Sequence, residues 1–265
     1  MTDRVLSDMV IPDNLPSPAD VRGKKVVVTG ASRGLGRVIA TAFARSGATV
    51  GLVARTAGPL RELADALPGK RRHLVFAGDV RDEEFNNHVA DSMAAQCGGM
   101  DAWIANAGIS PVFQPAGSTD AAAWHAVMGT NLAGAFFGAK AAARVLGSGG
   151  RVVITSSVLG QRAMVGLSAY GASKAGVESL VRTLALELGP RDITVNAVAP
   201  GWFDSPLASR FLQDEALEQR ILGHTALGRW GQAGDLAGVY LFLVSAAARF
   251  ITGAVIPVDG GYLLR

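Results

Sequence analysis

Lys25-Val26-Val27-Val28-Thr29-Gly30-Ala31-Ser32-Arg33-Gly34-Leu35-Gly36 is the stretch from which the fold reads. Val26 to Thr29 is a run of β-branched residues, the composition of a buried strand. Three glycines follow, which let the backbone turn sharply and approach a ligand closely. A helical stretch then runs from Gly34 to Ser46. A helix that starts directly after a strand presents free N–H groups and positive dipole to a phosphate. The spacing is G-x-x-x-G-x-G and not G-x-G-x-x-G, so two readings stand at this point: a dinucleotide loop, or a plain glycine-rich turn.

The alternation continues outward. Further strands are predicted at Thr49–Ala54, His73–Ala77, Asp101–Ala105, Arg151–Ser156, Ile193–Ala199 and Ala254–Val258. Helices are predicted at Leu60–Leu67, Asp82–Gln96, Ala122–Leu146, Ala169–Leu188 and near Ala233–Ser245. Strand-helix alternation implies right-handed crossovers and a parallel sheet covered on both faces. The expected fold class is therefore α/β: a doubly wound parallel sheet (Rossmann fold) of about seven strands. Residues 22–265 form one domain in this reading. Residues 1–21, with Pro12, Pro16 and Pro18, form an extended arm.

Composition narrows the function classes. Of 265 residues, 49% are apolar and 18% charged, which excludes a disordered chain. The single cysteine, Cys97, excludes a disulfide framework and a cysteine zinc cluster, and fits a reducing, cytoplasmic compartment. His73, His88, His125 and His224 form no H-x-x-x-H pair, so no metal is expected. The net charge of +3 is dispersed, and its densest knot, Lys70-Arg71-Arg72, reads as a solvated turn and not a nucleic-acid face. Met1-Thr2-Asp3-Arg4 lacks the apolar core of a signal peptide. Ala121 to Ala139 carries no charged residue but holds His125, Thr130 and Asn131, and reads as a buried or interface helix and not a membrane span.

Gly30-Ala31-Ser32-Arg33-Gly34 also matches G-x-S-x-G, the hydrolase nucleophile elbow. That elbow normally follows several strands and an oxyanion loop, whereas one strand precedes it here. His224 has no evident acid partner.

In a dinucleotide fold, an acid near the end of the second strand would take the ribose 2′-hydroxyl of NAD. Val50 to Thr56 holds no carboxylate; it holds Arg55, suited to a 2′-phosphate, with Arg33 in the glycine loop as a second cation. Either arginine alone is also an ordinary surface charge. Together with the missing acid they predict NADP(H) over NAD(H).

Tyr170 and Lys174 are four positions apart, so on a helix they share a face about 6 Å apart. A phenol ordinarily titrates near 10. A neighbouring ammonium favours phenolate and is expected to lower that value, which suits Tyr170 to proton exchange with a carbonyl oxygen. Ser157 lies 13 residues before Tyr170, just past a strand, where its hydroxyl can stabilise charge developing on a substrate oxygen. Ser156 is the neighbour that a one-residue slip would select. Asn106-Ala107-Gly108 follows another strand. Asn131 sits inside a predicted helix, where a structural hydrogen bond is the competing explanation.

Taken together, Thr29-Gly30-x-x-x-Gly34-x-Gly36, Asp79-Val80, Asn106-Ala107-Gly108, Asn131, Ser157, Tyr170-x-x-x-Lys174 and Asn196-x-x-x-Pro200-Gly201 resemble the short-chain dehydrogenase/reductase family. The resemblance runs in order from about Val21 to the end of the chain. It implies a catalytic tetrad of Asn131, Ser157, Tyr170 and Lys174, with a relay water on Asn131 and the nicotinamide ribose on Lys174. It implies cofactor contacts from Gly30, Ser32, Arg33, Gly34, Leu35 and Gly36. Arg55, Asp79, Val80, Asn106, Ala107 and Gly108 continue that surface, and Pro200, Gly201, Phe203 and Ser205 complete it. Ser205 stands where the family often has threonine. The family also implies a homotetramer or homodimer built on the helices of Asn131 and Tyr170.

Trp202 to Trp230 reads as a lid carrying an amphipathic stretch to Leu222. Phe113, Met164 and Trp202 either make an apolar pocket or belong to the core. Pro200-Gly201-Trp202-Phe203, Gly228-Arg229-Trp230-Gly231 and Val258-Asp259-Gly260-Gly261 are similar to the family's sugar-acid and polyol dehydrogenases, and nearly as similar to its 3-oxoacyl carrier-protein reductases. An acidic carrier protein would meet Arg162 or Arg210. The expected activity is hydride transfer between NADP(H) and a small ketone or secondary alcohol; the alternative is a catalytically idle NADP-binding sensor of the same fold.

Overall fold

A computed structural model describes residues 21–68, 73–208, 211 and 213–265. The arm up to residue 20, the Lys70-Arg71-Arg72 knot and Arg210 lie outside these. Seven strands form one parallel sheet in the order β3-β2-β1-β4-β5-β6-β7. They are β1 (Lys25–Thr29), β2 (Thr49–Ala54), β3 (Leu74–Ala77), β4 (Ala102–Ala105), β5 (Arg151–Thr155), β6 (Thr194–Pro200) and β7 (Val255–Val258). The helices are α1 (Gly34–Arg45), α2 (Ala57–Ala66), α3 (Glu83–Cys97), α4 (Ala121–Met128), α5 (Gly134–Val145), α6 (Ser168–Leu188), α7 (Glu215–His224) and α8 (Ala233–Val244).

Alternate strand residues feed two apolar layers, as the two-residue period of a strand requires. Val26 and Val28 join Ile39 and Phe43 of α1, Leu60 of α2 and Leu236 of α8 on one face. Val27 and Trp103 join Met93 of α3, Ala139 of α5 and Val177 of α6 on the other. Both faces are thus covered, which is why the strands read as unbroken apolar runs. Val21, at the predicted end of the arm, is fully buried in the first layer.

Two departures from the predicted elements concern the site. The helix expected over Ala122–Leu146 is interrupted by a single π turn, Gly129–Ala133, between α4 and α5. Such turns carry an extra residue, and this one holds Asn131, buried and bonded to a neighbouring loop. The segment after β6 contains α7, started by Asp214, whose carboxylate accepts from Leu217 N at 3.0 Å. Among the described residues, no helix is long and apolar enough to cross a membrane.

Candidate active site

Strand order reverses between β1 and β4, and in open parallel sheets ligands bind outside the carboxyl ends at that point. The loop after β1 and the loop after β4 meet there. Gly30 has φ +70°, and a Cβ on it would lie 2.9 Å from Ala107 Cα. A Cβ on Gly36 would lie 2.1 Å from Gly30 O and 2.6 Å from Asn106 Nδ2, so only glycine fits. Asn106 Nδ2 donates to Thr29 O at 3.0 Å, and Thr29 Oγ1 accepts from the main-chain N–H groups of Asn106 and Ala107 at 3.0 Å each. α1 starts at Gly34 with no side-chain cap on its N–H groups, the arrangement that receives an anion. Ser32 and Leu35 are partly exposed in this loop and Arg33 is exposed. Pro206 reaches back to it, 3.6 Å from where Gly34 would carry a Cβ.

Farther along the same edge, Gly78 N donates to Ala54 O at 3.0 Å, which sets the ends of β2 and β3 side by side. Arg55, after β2, is exposed. Asp79, after β3, is held below the usual carboxylate range, chiefly by its hydrogen bonds with Arg81 (2.6 and 2.9 Å) and in part by the charge of Arg55. Val80 is buried beside them.

Across the switch point, β5 ends in Thr155-Ser156-Ser157 and the two serines face different partners. The Ser157 side chain lies close enough to Tyr170 to favour its phenolate, and its Oγ accepts from Leu159 N at 3.2 Å. Ser156 Oγ donates to Glu178 Oε1 at 3.0 Å. Lys174 Nζ donates to Thr155 O at 2.7 Å and lies 5.7 Å from the centre of the Tyr170 ring. Burial pushes Lys174 down to about 8. The expected lowering of Tyr170 is not what the protein alone produces: burial raises the phenol, and the nearby Ser157 side chain only partly opposes it. The ammonium donates one of its three protons to a carbonyl and stands over the ring of Tyr170.

Asn131 is buried with both ends of its amide engaged. Its Oδ1 accepts from Ile109 N at 2.8 Å, and its Nδ2 donates to Ile109 O at 3.0 Å and Ser173 Oγ at 3.1 Å. Ser173 Oγ in turn donates to Tyr170 O at 2.7 Å. The π turn therefore ties the Asn106-Ala107-Gly108 loop to the helix of Tyr170. At β6, Gly201 N donates to Val258 O at 2.9 Å, and a Cβ on Gly201 would lie 2.6 Å from Asp259 Cα. Ser205 is partly exposed in the lid. The Phe203 ring is buried in the core beneath Gly231, so a ligand contact from this residue falls to its main chain.

Four residues gain a place that sequence reasoning missed or misassigned. Glu178 is buried and also accepts from Gln161 Nε2 at 3.1 Å, bracing the turn that carries Ser157. Its signal was legible, since Tyr170, Lys174 and Glu178 repeat at four-residue intervals along α6. Tyr240 of α8 places its hydroxyl 2.7 Å from Thr155 Oγ1; nothing local announced that pairing. Arg162, expected at a carrier protein, instead donates to the main-chain carbonyls of Tyr262 (3.0 Å) and Arg265 and stacks 4.9 Å from the Tyr262 ring centre. His224, the rival hydrolase base, packs against Tyr262 in the lid, with ring centres 6.3 Å apart.

A glycine cradle at a helix N-terminus, set beside a serine at a strand end and a tyrosine and lysine on α6, defines a nicotinamide-dependent oxidoreductase. The family described as enoyl-(acyl carrier protein) reductase matches residues 30–263. The cis-4-hydroxycyclohexanecarboxylate dehydrogenase of Sinomonas cyclohexanicum is 38% identical over 241 residues, covering 89% of this chain and 95% of its own. The 3-oxoacyl-[acyl-carrier-protein] reductase FabG of Pseudomonas aeruginosa is 37% identical, covering 91% and 98%. A short chain dehydrogenase from Burkholderia cenocepacia J2315, solved in complex with NADP, superposes with a TM-score of 0.85 at 33% identity, covering 92% and 99%. The chain belongs to the short-chain dehydrogenase/reductase family, and is an oxidoreductase acting on alcohol and carbonyl groups.

Proposed function

We propose that the chain interconverts a small ketone and its secondary alcohol with NADP(H) in preference to NAD(H), using Tyr170 as general acid and base. The observation that carries this reading is the Lys174 ammonium 5.7 Å from the centre of the Tyr170 ring, with the Ser157 side chain close enough to favour the phenolate. Ser157 and Tyr170 hold the substrate oxygen between two hydroxyls. A nicotinamide held by the glycine loop and Lys174 would supply or accept the hydride. As negative charge develops on the oxygen, Tyr170 delivers its hydroxyl proton, and the product is the alcohol. Lys174 stabilises the phenolate left behind, which then takes a proton from water. Asn131 holds the cofactor loop in place and, by family resemblance, the relay water. In the oxidative direction the same groups act in reverse.

The residues present fit the cofactor. The cradle that a Cβ on Gly36 would fill and the uncapped start of α1 suit a pyrophosphate. Arg55 and Arg33 suit a 2′-phosphate, and the stretch after β2 offers no acid for a free ribose hydroxyl. The relatives point to two substrate types, carrier-bound 3-oxoacyl groups and small hydroxy compounds. The occupation of Arg162 by the tail favours the second. We also propose that a second copy covers the apolar groove of about 530 Å³ lined by Met128, Leu132, Phe136 and Leu180.

The test is a ketone panel run with NADPH and NADH on the wild type and Tyr170→Phe. The variant is expected to lose 10²- to 10⁴-fold in kcat while binding NADPH normally. Equal turnover by the variant overturns the acid/base role. NADPH binding without turnover of any substrate by the wild type favours the sensor reading.

A further inference from the structure

We infer that Arg162 is a positioning residue: it fastens the segment Asp259–Arg265 to the turn that carries Ser157, and that segment sets the end of α7 against the same turn. The inference rests on Ser157 belonging to the site proposed above. Arg162 is part of the Ser157 turn by its main chain. Gly160 N donates to Ser157 O at 2.9 Å, and Gln161 N and Arg162 N donate to Val158 O at 3.1 and 2.8 Å. The side chain leaves this turn for a segment far along the chain. Its Nη1 donates to the carbonyls of Tyr262 (3.0 Å) and Arg265, and its guanidinium stands 4.9 Å from the centre of the Tyr262 ring. A planar guanidinium donates from its edge while its face stacks, a combination that an ammonium lacks.

The segment is built to transmit that hold. It turns tightly on Asp259, whose carboxylate accepts from Gly261 N and Leu263 N at 2.9 Å each. Its far side meets α7 and the loop after it. Gly260 O accepts from Leu227 N at 3.0 Å, and Arg265 Nη1 donates to Gly223 O at 3.3 Å. The buried Tyr262 ring lies edge-on to His224, 6.3 Å between ring centres. Gly223 and His224 are the last two residues of α7. Val158 and Leu159 of the turn share an apolar cluster with Tyr262, but apolar contact has no direction and permits sliding. The bonds from Arg162 are directional and fix the register. Glu178 braces the same turn from α6 through Gln161, so the turn is held from two sides by neighbouring residues.

The experiment compares Arg162→Met and Arg162→Lys with the wild type in the full chain. Three quantities are read: kcat for the best ketone of the panel above with NADPH, the NADPH dissociation constant, and hydrogen exchange of the α7 amides (Glu215–His224), which needs no substrate. Arg162→Met is expected to lower kcat about tenfold or more with NADPH affinity unchanged, since a misplacement of about 1 Å is costly to catalysis. It is also expected to speed α7 exchange about tenfold or more, as a charge-assisted bond is lost. Arg162→Lys keeps a charged donor and is expected to recover kcat to within about threefold. An arginine with a merely structural role would lower Tm and leave kcat and α7 exchange where they were. Unchanged kcat or unchanged α7 exchange in the folded methionine variant therefore overturns the inference, as does a lysine variant no better than methionine. A wild type that binds NADPH but turns over no ketone overturns the ketone reading and the catalytic consequence of Arg162. Faster α7 exchange in the methionine variant would still establish the mechanical link.

Discussion

The hydroxyl of Tyr240 lies 2.7 Å from Oγ1 of Thr155, buried between α8 and the end of β5. Thr155 thereby joins two systems, because its main-chain carbonyl receives Lys174 Nζ at 2.7 Å. Its Oγ1 also donates to Asn106 Oδ1 at 3.3 Å, toward the loop after β4. One residue thus links the outer helix layer and the cofactor loop through its side chain and the active-site lysine through its carbonyl.

Tyr240→Phe removes one buried hydrogen bond while keeping the ring in the core. Thr155 retains Asn106 as a partner, so the loss should stay near the ordinary value of about 1 kcal/mol. For a chain of this size that corresponds to a Tm lower by roughly 2–4 °C. Calorimetry of the two proteins checks it; an unchanged Tm means the bond contributes nothing net.

Lys174 makes stability pH-dependent. Burial lowers it from an ordinary 10.5 to about 8. Below pH 8 both folded and unfolded chains carry the proton, and the folded state bears the full desolvation cost, on the order of 3 kcal/mol. Between pH 8 and 10.5 the unfolded chain binds more protons, so stability rises with pH until the cost is gone. Lys174→Met removes the cost but leaves Thr155 O without its donor, an offset of about 1–2 kcal/mol. The variant should therefore be the more stable by about 1–2 kcal/mol at pH 7 and lose that advantage by pH 10.5. Urea denaturation across this range decides, and parallel curves for the two proteins count against the lowered lysine.

Glu178 acts through Ser156 and Gln161 on the turn that holds Ser157, so geometry and not charge is its contribution. Glu178→Gln keeps an acceptor oxygen at the same place and should hold kcat within about threefold. Glu178→Leu should lower kcat about tenfold or more with NADPH affinity unchanged, since a misplacement of even 1 Å is costly to catalysis. If glutamine fails as badly as leucine, the positioning account is wrong.

Arg55→Asp tests cofactor choice. A charge-assisted contact to a phosphate is worth about 1.5–3 kcal/mol, and an aspartate there would instead accept a ribose hydroxyl. The ratio of kcat/KM with NADPH to that with NADH should fall at least 100-fold. A constant ratio would show that the 2′-phosphate is held elsewhere.

The order of strands and helices follows from local chemistry. β-branched runs such as Val26–Thr29 can be buried on both faces, and the glycines after them can turn; neither property depends on distant residues. The same holds for the spacing of Tyr170 and Lys174, because a helix turns at a constant pitch. Which way a side chain points at the end of a strand depends instead on what packs above it. Ser156 and Ser157 are chemically alike neighbours, yet one faces Glu178 and the other Tyr170. The π turn at Asn131, the Thr155–Tyr240 bond across 85 residues and the capture of Arg162 by the tail are likewise long-range. Sequence alone thus determined the sheet, the glycine loop and the candidate reactive residues. Tertiary structure decided the direction of the Tyr170 shift and the buried aromatic cluster around Trp202, because desolvation and ring packing are properties of surroundings assembled from segments far apart in the chain.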